Sequence, residues 1–104
     1  MTTQDRNDLK LKLKEAIEQS PNRAIIKRAS LFGSYAYGTP TEESDVDLLV
    51  EFEPNARVGF FKLSEFKFSI QDRIGKKVDV LTQESISKYF RDEVLSQAQL
   101  VYEN

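Results

Sequence analysis

Val46, Leu48, Leu49 and Val50 follow one another almost without interruption in the segment VDLLVEF. A strand this apolar needs cover on both faces, which points to the centre of a sheet with other layers packed on it. The same strand opens with two aspartates, Asp45 and Asp47, that such burial would not select. Residues i and i+2 of a strand point to one face, so the two carboxylates project side by side and repel one another. Burying them unpaired costs several kcal/mol each, roughly, so the pair asks for a use beyond folding.

The rest of the chain supplies layers to cover such a strand. In DLKLKLKEAIEQSP the LKLKLK run alternates like a strand, but Leu9, Leu13, Ala16 and Ile17 share one helical face. The spacing predicts a helix, with Thr2 and Asp5 resembling a capping box, Ser20-Pro21 as the stop and Leu11 off the stripe. Ala29 to Phe32 reads as a short strand, open to an earlier start and ending at Gly33; SYAYG reads as a tight turn or one helical turn, and TPTEES as a loop. Phe60, Leu63, Phe66, Ile70 and Ile74 repeat every three or four residues up to Gly75, a helix with a glycine C-cap. KKVDVLT gives a third strand, Thr82 caps a turn, and Tyr89 to Ala98 reads as a helix followed by an extended LVY. The expected fold is α+β: a small mixed sheet with helices packed on it, in one domain spanning residues 1–104.

Composition narrows the chemistry. With no Cys and no His, disulfides, zinc sites, thiol nucleophiles, imidazole bases and serine-histidine triads are excluded, leaving carboxylates, hydroxyls, Lys, Arg and oxygen-preferring metals. Fifteen Lys and Arg against 17 Asp and Glu give a net charge of -2, so no direct binding of nucleic acid is expected. The polar N-terminus and the lack of any apolar run near the roughly 20 residues of a membrane span lead to the expectation of a cytoplasmic protein without a membrane partner.

Within those limits the carboxylates have a use. Mg²⁺ takes one or two carboxylates, with phosphate oxygens and waters completing its shell, and a D-x-D pair at a strand end can offer them. In KVDVL, Asp79 sits between Val78 and Val80; beside the first strand it would complete a cluster of three. Three carboxylates can bridge two ions roughly 3.5–4 Å apart, one activating a hydroxyl and the other neutralising a leaving phosphate. Without histidine, Asp79 is also the best candidate general base. Gly33 lets the backbone turn sharply and lets a ligand approach, and Ser34 offers a hydroxyl and an amide for phosphate. Taken singly these features have plainer readings: the pair as a solvated turn edge or helix cap, Asp79 as an ion-pair partner of Lys76, Lys77 or Arg73, Gly33-Ser34 as a turn. Their combination, Gly-Ser, ten residues, D-x-D and then a strand-embedded Asp, is what accident does not readily produce.

That combination resembles the nucleotidyltransferase superfamily that includes DNA polymerase β. Within it, GSYAYGTPTEESDVDLLVEF, GKKVDVLT and YFRDEVLSQAQLVYE are similar to the minimal nucleotidyltransferases of the MntA antitoxin type, from about the first strand to the C-terminus. The resemblance implies a palm-like nucleotidyltransferase fold in which Gly33 and Ser34, with Ser44 as a further candidate, hold the nucleotide. It implies that Asp45, Asp47 and Asp79 hold Mg²⁺, with two ions expected. It also implies transfer of AMP from ATP to a protein hydroxyl, a tyrosine of a HEPN-domain ribonuclease toxin. One position departs: Tyr37 stands where many relatives carry a basic residue, which removes a phosphate contact unless Lys76 or Lys77 replaces it. The length leaves no room for an acceptor-holding domain, so a partner chain is expected to complete the site, and Phe61 and Phe68 lie off the main helical stripe where a partner or a second layer could cover them. Two other readings stand beside this one: a binding antitoxin with a vestigial or regulatory nucleotide site, and a transferase for a small-molecule acceptor. Homo-oligomerisation is left open.

Overall fold

The computed structural model describes residues 3–33 and 45–104, and side chains from residue 6 onward in the first helix. The apolar stripe decides the N-terminal ambiguity in favour of a helix, α1, over Thr3–Glu18. Leu9, Leu13, Ala16 and Ile17 are all buried, while Leu11 is 59% exposed, because a helix can sink one stripe only. The helix ends where Ser20 turns back: its hydroxyl and its amide both donate to the Ile17 carbonyl, at 2.9 and 3.1 Å. The expected Thr2 and Asp5 capping box lies outside the described side chains.

Four strands form one mixed sheet: β1 (Ile26–Phe32), β2 (Val46–Phe52), β3 (Val78–Leu81) and β4 (Gln99–Glu103), in the order β3-β2-β1-β4. β1 begins three residues before the Ala29 expected from the apolar run. Ile26 is buried opposite Phe52, and a bulge separates that pair from Arg28 opposite Glu51, so the charged Lys27-Arg28 step does not break the strand. Arg28 donates to Glu103 at 2.8 Å and to Glu51 at 3.5 Å, holding the three central charges of neighbouring strands together. These groups are about half exposed, so Arg28→Ala is expected to lower stability by no more than about 1 kcal/mol, an effect that high salt in a melting experiment should erase.

The parallel pair β2–β3 needs a crossover, and the helix α2 (Phe60–Ile74) provides it. Its bounds are those read from the periodicity. Phe66 and Ile70 are buried, whereas Phe60, the first residue of the stripe, is 77% exposed at the helix's N-terminal end. Phe61 and Phe68 are exposed at 87% and 56%, uncovered by any described residue. Gly75 ends the helix at φ 69°, its amide bonded to the Gln71 carbonyl at 2.9 Å, with open space where a Cβ would go. Gly75→Ala should therefore cost only the left-handed backbone penalty, about 1 kcal/mol in a denaturant titration.

A short turn at Gln83–Ser85 leads to α3 (Arg91–Gln97), which starts two residues later than its sequence pattern suggested. The extended LVY expected at the end is part of β4, which pairs antiparallel with β1 at a sheet edge. α1 and α2 cover one face of the sheet, and with Ala29, Leu31, Val46, Leu48, Val50 and Val78 they build the core. By alternation Asp47, Leu49 and Glu51 point to the opposite face. Leu49 is buried there too, which accounts for the near-continuous apolar run of β2. The architecture is the expected α+β class.

Candidate active site

The parallel register sets Asp47 directly beside Asp79, with Val46 beside Val78 and Leu48 beside Val80. Two hydrogen bonds fix that register at its start. The Val46 amide donates to the Lys77 carbonyl at 2.9 Å, and the Val78 amide donates to Gln71 Oε1 at 3.0 Å. Gln71 thus ties the start of β3 to the helix that precedes it, and through β3 sets where Asp79 stands. Nothing in the sequence pattern singles out Gln71; only the crossover geometry gives it this place.

Gly33 follows β1, in register one residue beyond Phe32, which pairs with Asp47. Its φ is 74°, and a Cβ added there would collide with the Asp47 carboxylate, lying 3.0 Å from its Cγ and 3.2 Å from its Cβ. The fixed spacing between the glycine and D-x-D is therefore a contact in space: the turn leaves β1 against the aspartate, and only glycine fits. Ser34, Tyr37 and Ser44 lie outside the described residues.

Burial is the first cause that raises the Asp47 pKa from its ordinary 3.8, followed by the charges of Asp79 and then Asp45. Just above pH 3.8 the native state therefore keeps the Asp47 proton more readily than the unfolded chain does. Stability tied to this group is accordingly full below pH 3.8 and falls as pH rises through the raised pKa. A nearby cation is the remedy such a cluster calls for. Lys77 approaches Asp45 at 3.9 Å, a long and exposed pair, and Arg73 donates to Gln19 at 2.6 Å. Of the alternative ion-pair partners for Asp79, then, Lys77 and Arg73 are directed elsewhere.

The donor set fits a hard divalent cation: oxygen ligands only, side by side, each raising the cost of ionising the central one. Among the described residues no three acidic side chains converge as ligands around one point. The face they occupy is open at the edge strand β3, where Asp79 is exposed and Asp47 half-buried. No helix among the described residues is long and apolar enough to cross a membrane.

This four-stranded mixed sheet with helices packed on it is the architecture of a nucleotidyltransferase domain. The chain belongs to the nucleotidyltransferase domain family, whose model matches residues 10–101. It is 42% identical over 73 residues to a Methanocaldococcus jannaschii protein provisionally named as a protein adenylyltransferase, an alignment covering 70% of this chain and 76% of that one. Among solved structures, it superposes with a TM-score of 0.70 and 21% identity on a chain from a toxin–antitoxin complex with AMP-PNP, covering 91% of this chain and 73% of that chain. A second match, with a TM-score of 0.58 and 18% identity, is to a chain from the complex of a tri-AMPylated Shewanella oneidensis HEPN toxin with MNT antitoxin, covering 100% of this chain and 74% of that one. Both of these confirm the fold.

Proposed function

We propose that this protein transfers AMP from ATP to a hydroxyl, a tyrosine, of a HEPN-type toxin and so acts as its antitoxin. The observation that carries the reading is the in-register pair Asp47–Asp79 with Gly33 closed against Asp47, in a chain related to a protein named an adenylyltransferase. The complexes with AMP-PNP and with an AMPylated HEPN toxin, formed by chains of the same fold, support the choice of nucleotide and partner.

In this reading Asp45, Asp47 and Asp79 hold Mg²⁺, which when bound supplies charge neutralisation for the triphosphate and a more acidic acceptor hydroxyl. Gly33 brings the backbone against Asp47, beside which the triphosphate binds, with Ser34 and Ser44 as its further contacts. Asp79, on the exposed edge strand, takes the proton from the acceptor hydroxyl. The hydroxyl oxygen then bonds to the α-phosphorus, the bond from that phosphorus to the bridging oxygen breaks, and pyrophosphate leaves. Asp47, whose charge the fold disfavours, gains most from a bound cation, so ligation and folding are coupled through it.

Incubation of the protein and a HEPN-domain toxin with ATP labelled at the α-phosphate and Mg²⁺ should label the toxin, and EDTA should prevent it. A toxin silenced without label would refute the transferase reading. A separate readout concerns the metal alone: millimolar Mg²⁺ should raise the melting temperature of the wild type and leave that of the Asp45→Asn/Asp47→Asn double variant unchanged, by mass action on the folded state.

A further inference from the structure

The face of the sheet that carries Asp47 also carries a cleft of about 340 Å³, lined by the apolar Leu49, Leu95, Ala98 and Leu100 and by as many polar or charged residues, Arg28 and Glu51 among them. The transfer chemistry uses none of these residues. We propose that this cleft seats an uncharged, apolar or aromatic side chain of the acceptor polypeptide, two residues from the hydroxyl that receives AMP. The proposal rests on the transferase reading above and extends it to how the acceptor is chosen.

Three observations lead there. Position comes first: Leu49 is two residues beyond Asp47 on the same face, Ser30 is its cross-strand partner, and Leu100 pairs with Ser30 from β4. The cleft floor is thus the next row of the sheet after the Asp47–Asp79 row. Two strand residues advance about 6.6 to 6.8 Å, and an extended acceptor lying along β2 advances by the same step. A hydroxyl held at the aspartates therefore places its i±2 side chain over Leu49.

Chemistry comes second. Half of the cleft's lining is apolar, and within it Leu100 and Leu95 keep 49% and 37% of their surface exposed. The cation at the cleft's end is already used: Arg28 donates from Nε to Glu103 at 2.8 Å and pairs through its terminal nitrogens with Glu103 at 2.7 Å and Glu51 at 3.5 Å. A phosphate would find Glu51 in its way and no unengaged guanidinium, so the cleft is not a second nucleotide site. A carboxylate side chain is refused on the same ground.

Continuity comes third. The cleft opens on the same side as Asp79 on the edge strand, so one extended segment can reach both. Where an extended peptide is bound, pockets for its alternate side chains give specificity.

The test uses two capped tripeptide amides as probes, acetyl-Tyr-Ala-Leu-amide and acetyl-Tyr-Ala-Asp-amide, titrated into the ¹⁵N-labelled full chain. The leucine peptide should shift the amides of Leu49, Ala98 and Leu100 saturably, and the aspartate peptide should bind at least about tenfold more weakly. Leu100→Asp, at an exposed position, should abolish that preference while keeping the wild-type melting profile; Ala98→Trp, which fills the cleft, serves if it does not. With a labelled-ATP assay on the toxin, Leu100→Asp should raise the acceptor KM about tenfold and leave the ATP KM in place. Equal binding of the two peptides, shifts centred away from the cleft, or no shift at the solubility limit would overturn the proposal. Absence of transfer by the wild type would instead end the transferase reading, and the peptide titration would still decide the cleft.

Discussion

Asp47→Asn is expected to cut AMP transfer by about 1000-fold or more, on the order of 4 kcal/mol of lost transition-state stabilisation, while making the metal-free protein more stable at neutral pH. The two effects have one cause. Burial and the charges of Asp79 and Asp45 disfavour ionised Asp47, and that cost is present whenever the group is charged and no cation offsets it. Asparagine keeps the shape and removes the charge. The sign with pH follows: the variant's melting temperature in EDTA should match the wild type's below pH 3.8 and exceed it progressively above, as the native carboxyl loses its proton late. Added Mg²⁺ should narrow the gap by stabilising the wild type alone. A purely structural Asp47 would give the reverse pattern, with stability lost on substitution at every pH. An antitoxin acting by occupancy alone would silence its toxin equally well with asparagine there.

Gly33→Ala is expected to be the second large effect, and to exceed Gly75→Ala although both glycines sit at nearly the same positive φ. The backbone strain is common to the two, roughly 1–2 kcal/mol. At Gly75 the new methyl meets nothing, whereas at Gly33 it meets the Asp47 carboxylate. The total at Gly33 should reach roughly 2–4 kcal/mol, and displacement of Asp47 should lower transfer by about 100-fold. A double-mutant cycle isolates the contact: with Asp47→Ala in the background, Gly33→Ala should fall back to the backbone cost seen at Gly75. Additive losses would mean that the glycine serves the turn alone.

How much of this could be read from the residues alone differs by element. The stripe in α1 and α2 and the unbroken run in β2 carry strong, local signals, because one periodicity matches one buried face. The alternation rule predicts one face for Asp45 and Asp47, although β2 begins only at Val46, and Asp79 comes beside Asp47 because β3 is adjacent to β2, parallel and held in that register. What the chain did not disclose is non-local. The early start of β1 at Ile26 depends on β2 arriving to set Phe52 opposite Ile26. The extended LVY is legible in the chain, but its start at Gln99 and its pairing with β1 at the sheet edge are not. Gln71 looks like a surface glutamine until β3 comes to rest against it. Phe60 fits the stripe of α2 yet stays exposed, since periodicity gives the direction of a side chain and not whether anything lies there to cover it.

The site follows the same division. Residue types and spacing suggested the carboxylates and Gly33, while the contact that makes Gly33 obligatory and the cleft one row beyond Asp47 exist only in the folded sheet. The nucleotide contact proposed for Ser34 is addressed by substitution: Ser34→Ala should raise the ATP KM more than it changes kcat, as expected for a group that binds the triphosphate before and during transfer.

The central claim is that these carboxylates place AMP on a protein hydroxyl. Intact-mass measurement of a HEPN-domain toxin after incubation with the protein, ATP and Mg²⁺ tests it most directly. The toxin should gain one or more adenylyl groups on tyrosine with the wild type and keep its mass with Asp47→Asn. A toxin whose mass stays constant while its activity is silenced, or an adenylyl gain that survives Asp47→Asn, would contradict that claim.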